Sequence, residues 1–232
     1  VDIQKGQKVL INGATGAIAC DHYHKFKEDI QLMKNMGVKA YRFSIAWARI
    51  MPTGKETINE EGIQFYSDLI DALLDAGIEP WITLYHWDLP LALQLEDDGW
   101  LGENISDYFA TYASICFERF GDRVTNWITL NESWVVAILG YGQGVFAPGR
   151  VSNSEPYLAA HHLILAHAKA VNIYREKYAH QKGQIGMTNN CDWREPLTDS
   201  EKDKQAAERA LEFFLAWFAD PIYKGDYPEV MK

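Results

Sequence analysis

Four short apolar runs, each closed by a polar or aromatic cluster and parted from the next by a helical pattern, constrain this chain most. Val38–Ile45 (V-K-A-Y-R-F-S-I), Pro80–Tyr85, Thr125–Leu130 and Gly183–Thr188 read as strands, the first with near period-two alternation. Helical patterns fill the gaps. Asp21–Met36 carries Tyr23, Ile30 and Met33 at inward positions and stops at Gly37. Asn59 is placed to cap a helix that carries Ile63, Leu69, Ile70, Leu73 and Leu74 and ends at Gly77. Ser106–Phe120 ends at Gly121, Glu155–Tyr178 is long and amphipathic, and Asp199 opens a last helix through Leu211, Phe213, Phe214 and Trp217. Strands roughly 40 to 60 residues apart with helices between them pair in parallel through right-handed crossovers.

A doubly wound sheet and a (β/α)8 barrel both satisfy that pattern. The strand ends separate them. Each strand finishes in groups able to contact a ligand: Arg42 and Ser44, then Tyr85, His86 and Trp87, then Asn131 and Glu132, then Asn189 and Asn190. A barrel gathers all its strand ends around one pocket, whereas an open sheet concentrates ligands at a switch point. No glycine-rich turn follows a first strand, which lowers the nucleotide-binding reading. The sequence therefore predicts an α/β fold that is part of a TIM barrel. Four strands cannot close an eight-stranded barrel, and exposed sheet edges are an aggregation hazard.

The segment Asn126–Glu132 (N-W-I-T-L-N-E) carries the chemistry. It is an apolar strand that delivers an amide and a carboxyl group at its C-terminal end, where parallel α/β proteins place their reactions. A carboxyl beside an amide able to bind a sugar hydroxyl points to glycoside hydrolysis, which uses two carboxyl groups. A second one of comparable standing is absent from these residues. Glu195 and the Asp97–Asp98 pair are the nearest spare carboxylates.

Composition narrows the alternatives. With 232 residues, 47% of them hydrophobic, the chain can bury a substantial core as one domain. A formal net charge of -10 with no basic run argues against nucleic-acid and anionic-membrane partners. No apolar stretch approaches a membrane span, and the first residues do not read as a signal peptide. The true N-terminus is expected upstream, which leaves cytoplasmic and secreted locations both open. Cys20, Cys116 and Cys191 are too few and scattered for a disulfide framework or a zinc site and read as buried free thiols. His22 and His24, and His161, His162 and His167, lack the three- or four-residue spacing of metal ligands on one helix face and read as core or cap histidines. No cofactor is expected. Eight tryptophans and twelve tyrosines suit the stacking of sugar faces.

Five motifs then occur in one order: Y-R-F-S-I-A-W-A-R-I at 41–50, Y-H-W-D-L-P at 85–90, T-L-N-E at 129–132, G-V-F-A-P-G at 144–149 and F-F-L-A-W-F-A-D-P-I-Y-K-G-D-Y-P at 213–228. Together they resemble glycoside hydrolase family 1, the retaining β-glucosidases, over essentially the whole chain. The resemblance implies a (β/α)8 TIM barrel of which this chain covers roughly strands 2–5 and their helices. Residues 1–232 would be one partial catalytic domain lacking strand 1 and strands 6–8. It implies a β-glucoside or related oligosaccharide as substrate and double displacement as the reaction. Glu132 would be the general acid/base, protonating the glycosidic oxygen and then deprotonating water. Asn131 would hydrogen-bond the sugar 2-hydroxyl. His86 and Trp87 would contact the glycone, Arg42 would stand beside the nucleophile and keep it ionised, and Trp134 would be the aglycone platform. The nucleophile would come from the C-terminal half of the barrel, in the remaining polypeptide or on another chain. A non-catalytic half-barrel that binds sugar weakly is the alternative.

Departures from the family pattern are specific. Ser133 stands where the family usually has Pro after its Asn-Glu, so the backbone beside the acid is less stiff. Ala17 stands where Asp is common. Glu132 is retained as Glu, unlike the myrosinase variant that lacks the acid.

Overall fold

The computed structural model describes residues 9–11 and 20–232. Its centre is a five-stranded sheet, parallel throughout, in the order β1 Val9–Ile11, β2 Ala40–Ser44, β3 Glu79–Tyr85, β4 Asn126–Asn131 and β5 Gln184–Thr188. Spatial order follows chain order, as it must when each strand returns to its neighbour through a helix. The connecting helices are α1 His22–Asn35, α2 Glu60–Asp75, α3 Ile105–Phe120 and α4 Glu155–Lys177, and α5 Glu201–Leu211 follows β5. The four strands read from the sequence are β2 to β5. β1 is one strand more than that reading found, because a three-residue run is too short to show alternation. The sheet therefore does not begin at β2. Ala17 lies outside the described residues.

Two helix ends use the same device to aim the next strand. Gly37 and Gly77 both have φ of +73°, open to glycine at no steric cost. Around each, paired bonds close the helix: Gly37 N–H to Lys34 O and Val38 N–H to Met33 O, then Gly77 N–H to Leu74 O and Ile78 N–H to Leu73 O. Other local expectations need correction. Asn59 precedes α2, yet its side chain does not cap the helix; Nδ2 donates to Arg49 O at 3.0 Å and ties α2 to the turn after β2. The cap of α5 is Ser200, whose Oγ accepts from Asp203 N–H at 3.2 Å. Tyr23 is exposed rather than inward, its ring packed on Phe65 at 4.4 Å beneath the Arg49 guanidinium. A helical face this wide has a border, and Tyr23 sits on it while Ile30 and Met33 are buried.

The two faces of the sheet differ. Tyr41, Phe43, Ile82, Leu84 and Trp127 are buried in the main core, which also takes up the apolar faces of α2, α3 and α4. Alternation puts Arg42, Ser44, Trp81 and Ile128 on the opposite face, where each is half-buried. The α3–α4 contact anchors the outer layer, with Phe117 edge-on to Trp127 at 5.0 Å and Tyr174 at 4.9 Å. Two π-helical segments, Val136–Gly142 and Glu212–Ala216, were not visible in the sequence pattern. A second small core of Ala137, Ala160, Ile164, Trp217 and Phe218 lies between the first of these, α4 and the helix Trp217–Tyr223.

Candidate active site

The site is built where β3, β4 and β5 end. β4 closes at Asn131, and Glu132 turns the chain in the left-handed region, with φ 50° and ψ 62°. For a residue that is neither Gly nor Asn this costs about 1–3 kcal/mol, so its neighbours must hold it. They do: Glu132 N–H donates to Thr188 O at 2.8 Å, and Glu132 O accepts from Val135 N–H at 2.9 Å. The half-buried Glu132 carboxyl is therefore fixed at its root by the end of β5 and by the helical turn Ser133–Val135. One strand away Trp87 does the same, with φ 79°. Its indole Nε1–H donates to Asn131 O at 2.9 Å, tying the end of β3 to that of β4. The Asp88 carboxyl accepts the His86 N–H at 3.3 Å across that turn, and burial pushes its pKa up to about 7.

Arg42, Asn131 and His86 form one network. Arg42 Nη2–H donates to Asn131 Oδ1 at 2.5 Å, and its Nε–H donates to Thr83 Oγ1 at 2.9 Å. Asn131 Nδ2–H faces His86 Nε2 at 3.2 Å, which makes that nitrogen the acceptor and puts the imidazole hydrogen on Nδ1. Burial, then the Arg42 charge, lower the His86 pKa, so the ring is neutral near pH 7. Burial also lowers the Arg42 pKa, while the charge of Glu132 opposes that shift. Arginine remains a cation through such changes, so Glu132 sits in the field of a fixed positive charge.

The remaining expected residues fall out differently. Trp134 lies two residues past Glu132, but one indole face is covered: Phe214 stacks on it at 4.0 Å and 10° between planes. Phe214 belongs to the second π segment and is 80 positions from Trp134, a contact no local pattern announces. Tyr85 is not at the site; it is buried, and its hydroxyl accepts Trp100 Nε1–H at 3.0 Å. The Oδ1 atoms of Asn189 and Asn190, just past β5, are buried without a partner among the described residues. The spare carboxylates are engaged elsewhere: Asp98 with Arg150 at 2.7 Å, Asp97 with Lys55, and Glu195 with the Trp193 indole.

Histidines serve the framework. His162 Nδ1 bonds Trp100 O at 2.8 Å, His167 Nδ1 bonds Thr129 Oγ1 at 2.7 Å, and His22 Nδ1 bonds Asp29 at 2.6 Å. His24 and His161 are exposed rather than core, paired with Asp21 and the Tyr227 hydroxyl. No group of three or more His, Cys, Asp or Glu among the described residues is arranged to hold a metal ion. Only Cys116 of the three thiols is buried; Cys20 and Cys191 are exposed because they lie in the segments before α1 and after β5.

Comparison with known proteins decides the family. The sequence profile of glycosyl hydrolase family 1 matches residues 3–232. The chain belongs to glycosyl hydrolase family 1. Among curated relatives, Beta-glucosidase 4 of Oryza sativa subsp. japonica is 52% identical over 227 residues, 96% of this chain and 47% of the relative. Beta-glucosidase 1B of Phanerodontia chrysosporium is 51% identical, covering 100% of this chain and 45% of the relative. The crystal structure of a rice beta-glucosidase superposes with a TM-score of 0.90 at 55% identity, over 91% of this chain and 47% of that one. A Thermotoga maritima beta-glucosidase in complex with castanospermine gives 0.86 at 50% identity, over 91% and 47%. The parallel sheet with its outer helices is thus part of a family 1 TIM barrel, and β2 to β5 are the strands the sequence assigned to it. The chain spans about half the length of the curated relatives it matches.

Proposed function

We propose that this family 1 chain is the N-terminal half of a retaining β-glucosidase, with Glu132 as its general acid/base and the nucleophile supplied by the other half of the barrel. The carrying observation is the left-handed Glu132 at the end of β4, pinned by Thr188 and lying in the field of Arg42. In the glycosylation step Glu132 gives its proton to the glycosidic oxygen while the nucleophile forms the glycosyl-enzyme bond. In the second step the Glu132 carboxylate takes a proton from water as that bond breaks. Asn131 would read the sugar 2-hydroxyl with its N–H, because its oxygen is occupied by Arg42. His86 would donate from Nδ1, and Trp87 would line the glycone. Trp134 would carry the aglycone, one face of its indole resting on Phe214. Relatives named as beta-glucosidases at about half identity support the substrate class.

Glu132→Gln in the complete polypeptide tests the assignment. Hydrolysis of β-glucosides with poor leaving groups should fall by roughly a hundred- to ten-thousandfold, with activated aryl glucosides spared much of that loss. Equal losses on both would remove Glu132 from the acid/base role. For the 232 residues alone, a half-buried inner sheet face and a single proposed catalytic carboxylate favour a second reading, a half-barrel that binds sugar weakly and does not catalyse.

A further inference from the structure

Thr83 lies on β3 before His86 and Trp87, and its side chain hydrogen-bonds Arg42. It is 1% exposed, and its Oγ1 accepts the Arg42 Nε–H at 2.9 Å. The guanidinium is a rigid planar fork, so fixing Nε fixes the direction in which Nη2 points. Nη2–H meets Asn131 Oδ1 at 2.5 Å. Because arginine has donors and no acceptor, the Asn131 amide must turn its oxygen toward Arg42 and its N–H groups away. One of these N–H groups faces His86 Nε2 at 3.2 Å, which in turn sets the imidazole tautomer. Polarity passes along the row Thr83, Arg42, Asn131 and His86, and each link decides the next.

We infer that Thr83 is a positioning residue for sugar recognition: its hydroxyl holds the Arg42 fork so that Asn131 presents N–H, not C=O, to the sugar 2-hydroxyl. Without that oxygen the Nε–H loses its acceptor, and the fork is free to roll toward another. The Asn131 amide then loses the contact that dictates its orientation. Thr83 itself needs no contact with substrate. This inference rests on the proposed glucosidase reading.

The test uses Thr83→Val, which keeps shape and loses the hydroxyl, and Thr83→Ser, which keeps the hydroxyl, both in the complete polypeptide. kcat/KM is measured on an aryl β-glucoside and on its 2-deoxy counterpart. The ratio of the two values is independent of how much protein folds. The wild-type preference for the 2-hydroxyl should fall by about tenfold or more in Thr83→Val and return in Thr83→Ser. Equal losses on the two substrates, or an unchanged ratio, would overturn the inference and leave Thr83 a framework residue. A second readout is the His86 tautomer by long-range proton–nitrogen NMR, which should be Nδ1–H in the wild type and mixed in Thr83→Val. If the wild type hydrolyses neither sugar, the glucosidase reading fails, and an unmoved tautomer in Thr83→Val would still reject the positioning role by itself.

Discussion

The outer and inner faces of the sheet are made from residues of the same strands, alternating except where the β4–β5 register shifts between Ile128 and Asn131, and do opposite work. Outward, Phe43, Ile82, Leu84 and Trp127 are sealed by helices and surrounded by rings such as Phe117 and Tyr174. Inward, Arg42 donates to both Thr83 and Asn131, and Ser44, Trp81 and Ile128 stay half-buried. Dispersion and burial of apolar area hold the first face. Directional hydrogen bonds around the Arg42 guanidinium organise the second. Apolar packing is concentrated on one side of each strand and the candidate site on the other, so a substitution's phenotype should depend on which side it strikes.

The sharpest test compares Phe117 of α3, packed on outward Trp127, with the next residue of β4, inward Ile128. Phe117→Ala on the outer side should cost about 3–5 kcal/mol, since a fully buried aromatic leaves a cavity its neighbours cannot close. Ile128→Ala, inward on β4, should cost clearly less in the same denaturant titration of the 232-residue chain. Similar costs would break the contrast between the faces.

The next effect is a pH dependence placed on the outer side. Burial, then Arg175, lower the His167 pKa from 6.5 to about 4. The unfolded chain takes up this proton near 6.5 and the folded one only near 4, so the contribution is complete above pH 6.5 and is lost as pH falls toward 4. Its size is on the order of 3 kcal/mol at most. Asp88 works in the opposite direction, because its raised pKa favours the fold at low pH and fades as pH rises toward 7. His167→Asn keeps a polar atom for Thr129 and removes the titration. The wild type should lose stability relative to that variant between pH 6.5 and 4; parallel curves would show that His167 is solvated when charged.

The smallest effect is at the junction of the two faces. Ser133 is buried with Oγ unpartnered among the described residues, and it opens the helical turn Ser133–Val135, where proline's fixed φ is compatible. Ser133→Pro should raise stability by about 0.4–1 kcal/mol through the unfolded chain, read as a higher denaturation midpoint. A loss instead would mean that the left-handed Glu132 does not tolerate a following proline.

Much of the architecture was legible. β2 to β5 lie within two residues of the runs read from periodicity, and Gly37 and Gly77 mark two helix ends correctly. Periodicity succeeds there because the outer face is uniformly apolar. It failed for β1, too short to alternate, for the Asn59 cap, which lost to a longer-range bond with Arg49 O, and for both π segments. Within the site, Arg42, Asn131 and His86 were named from motifs and are joined in space. Tyr85 was named with them and turns into the core instead.

The sequence by itself determined the parallel order of strands, the edge at which polar groups collect and, through five ordered motifs, the family. Those properties are written in spacing and pattern, which are one-dimensional. Only the tertiary structure decided that Glu132 and Trp87 are left-handed, which way the Asn131 amide faces, and that Thr83 matters at all. The bonds responsible join residues 41 and 89 positions apart, Arg42 to Thr83 and Arg42 to Asn131. A buried donor takes whichever acceptor the packed chain brings within reach, and that choice exists only after the strands have paired.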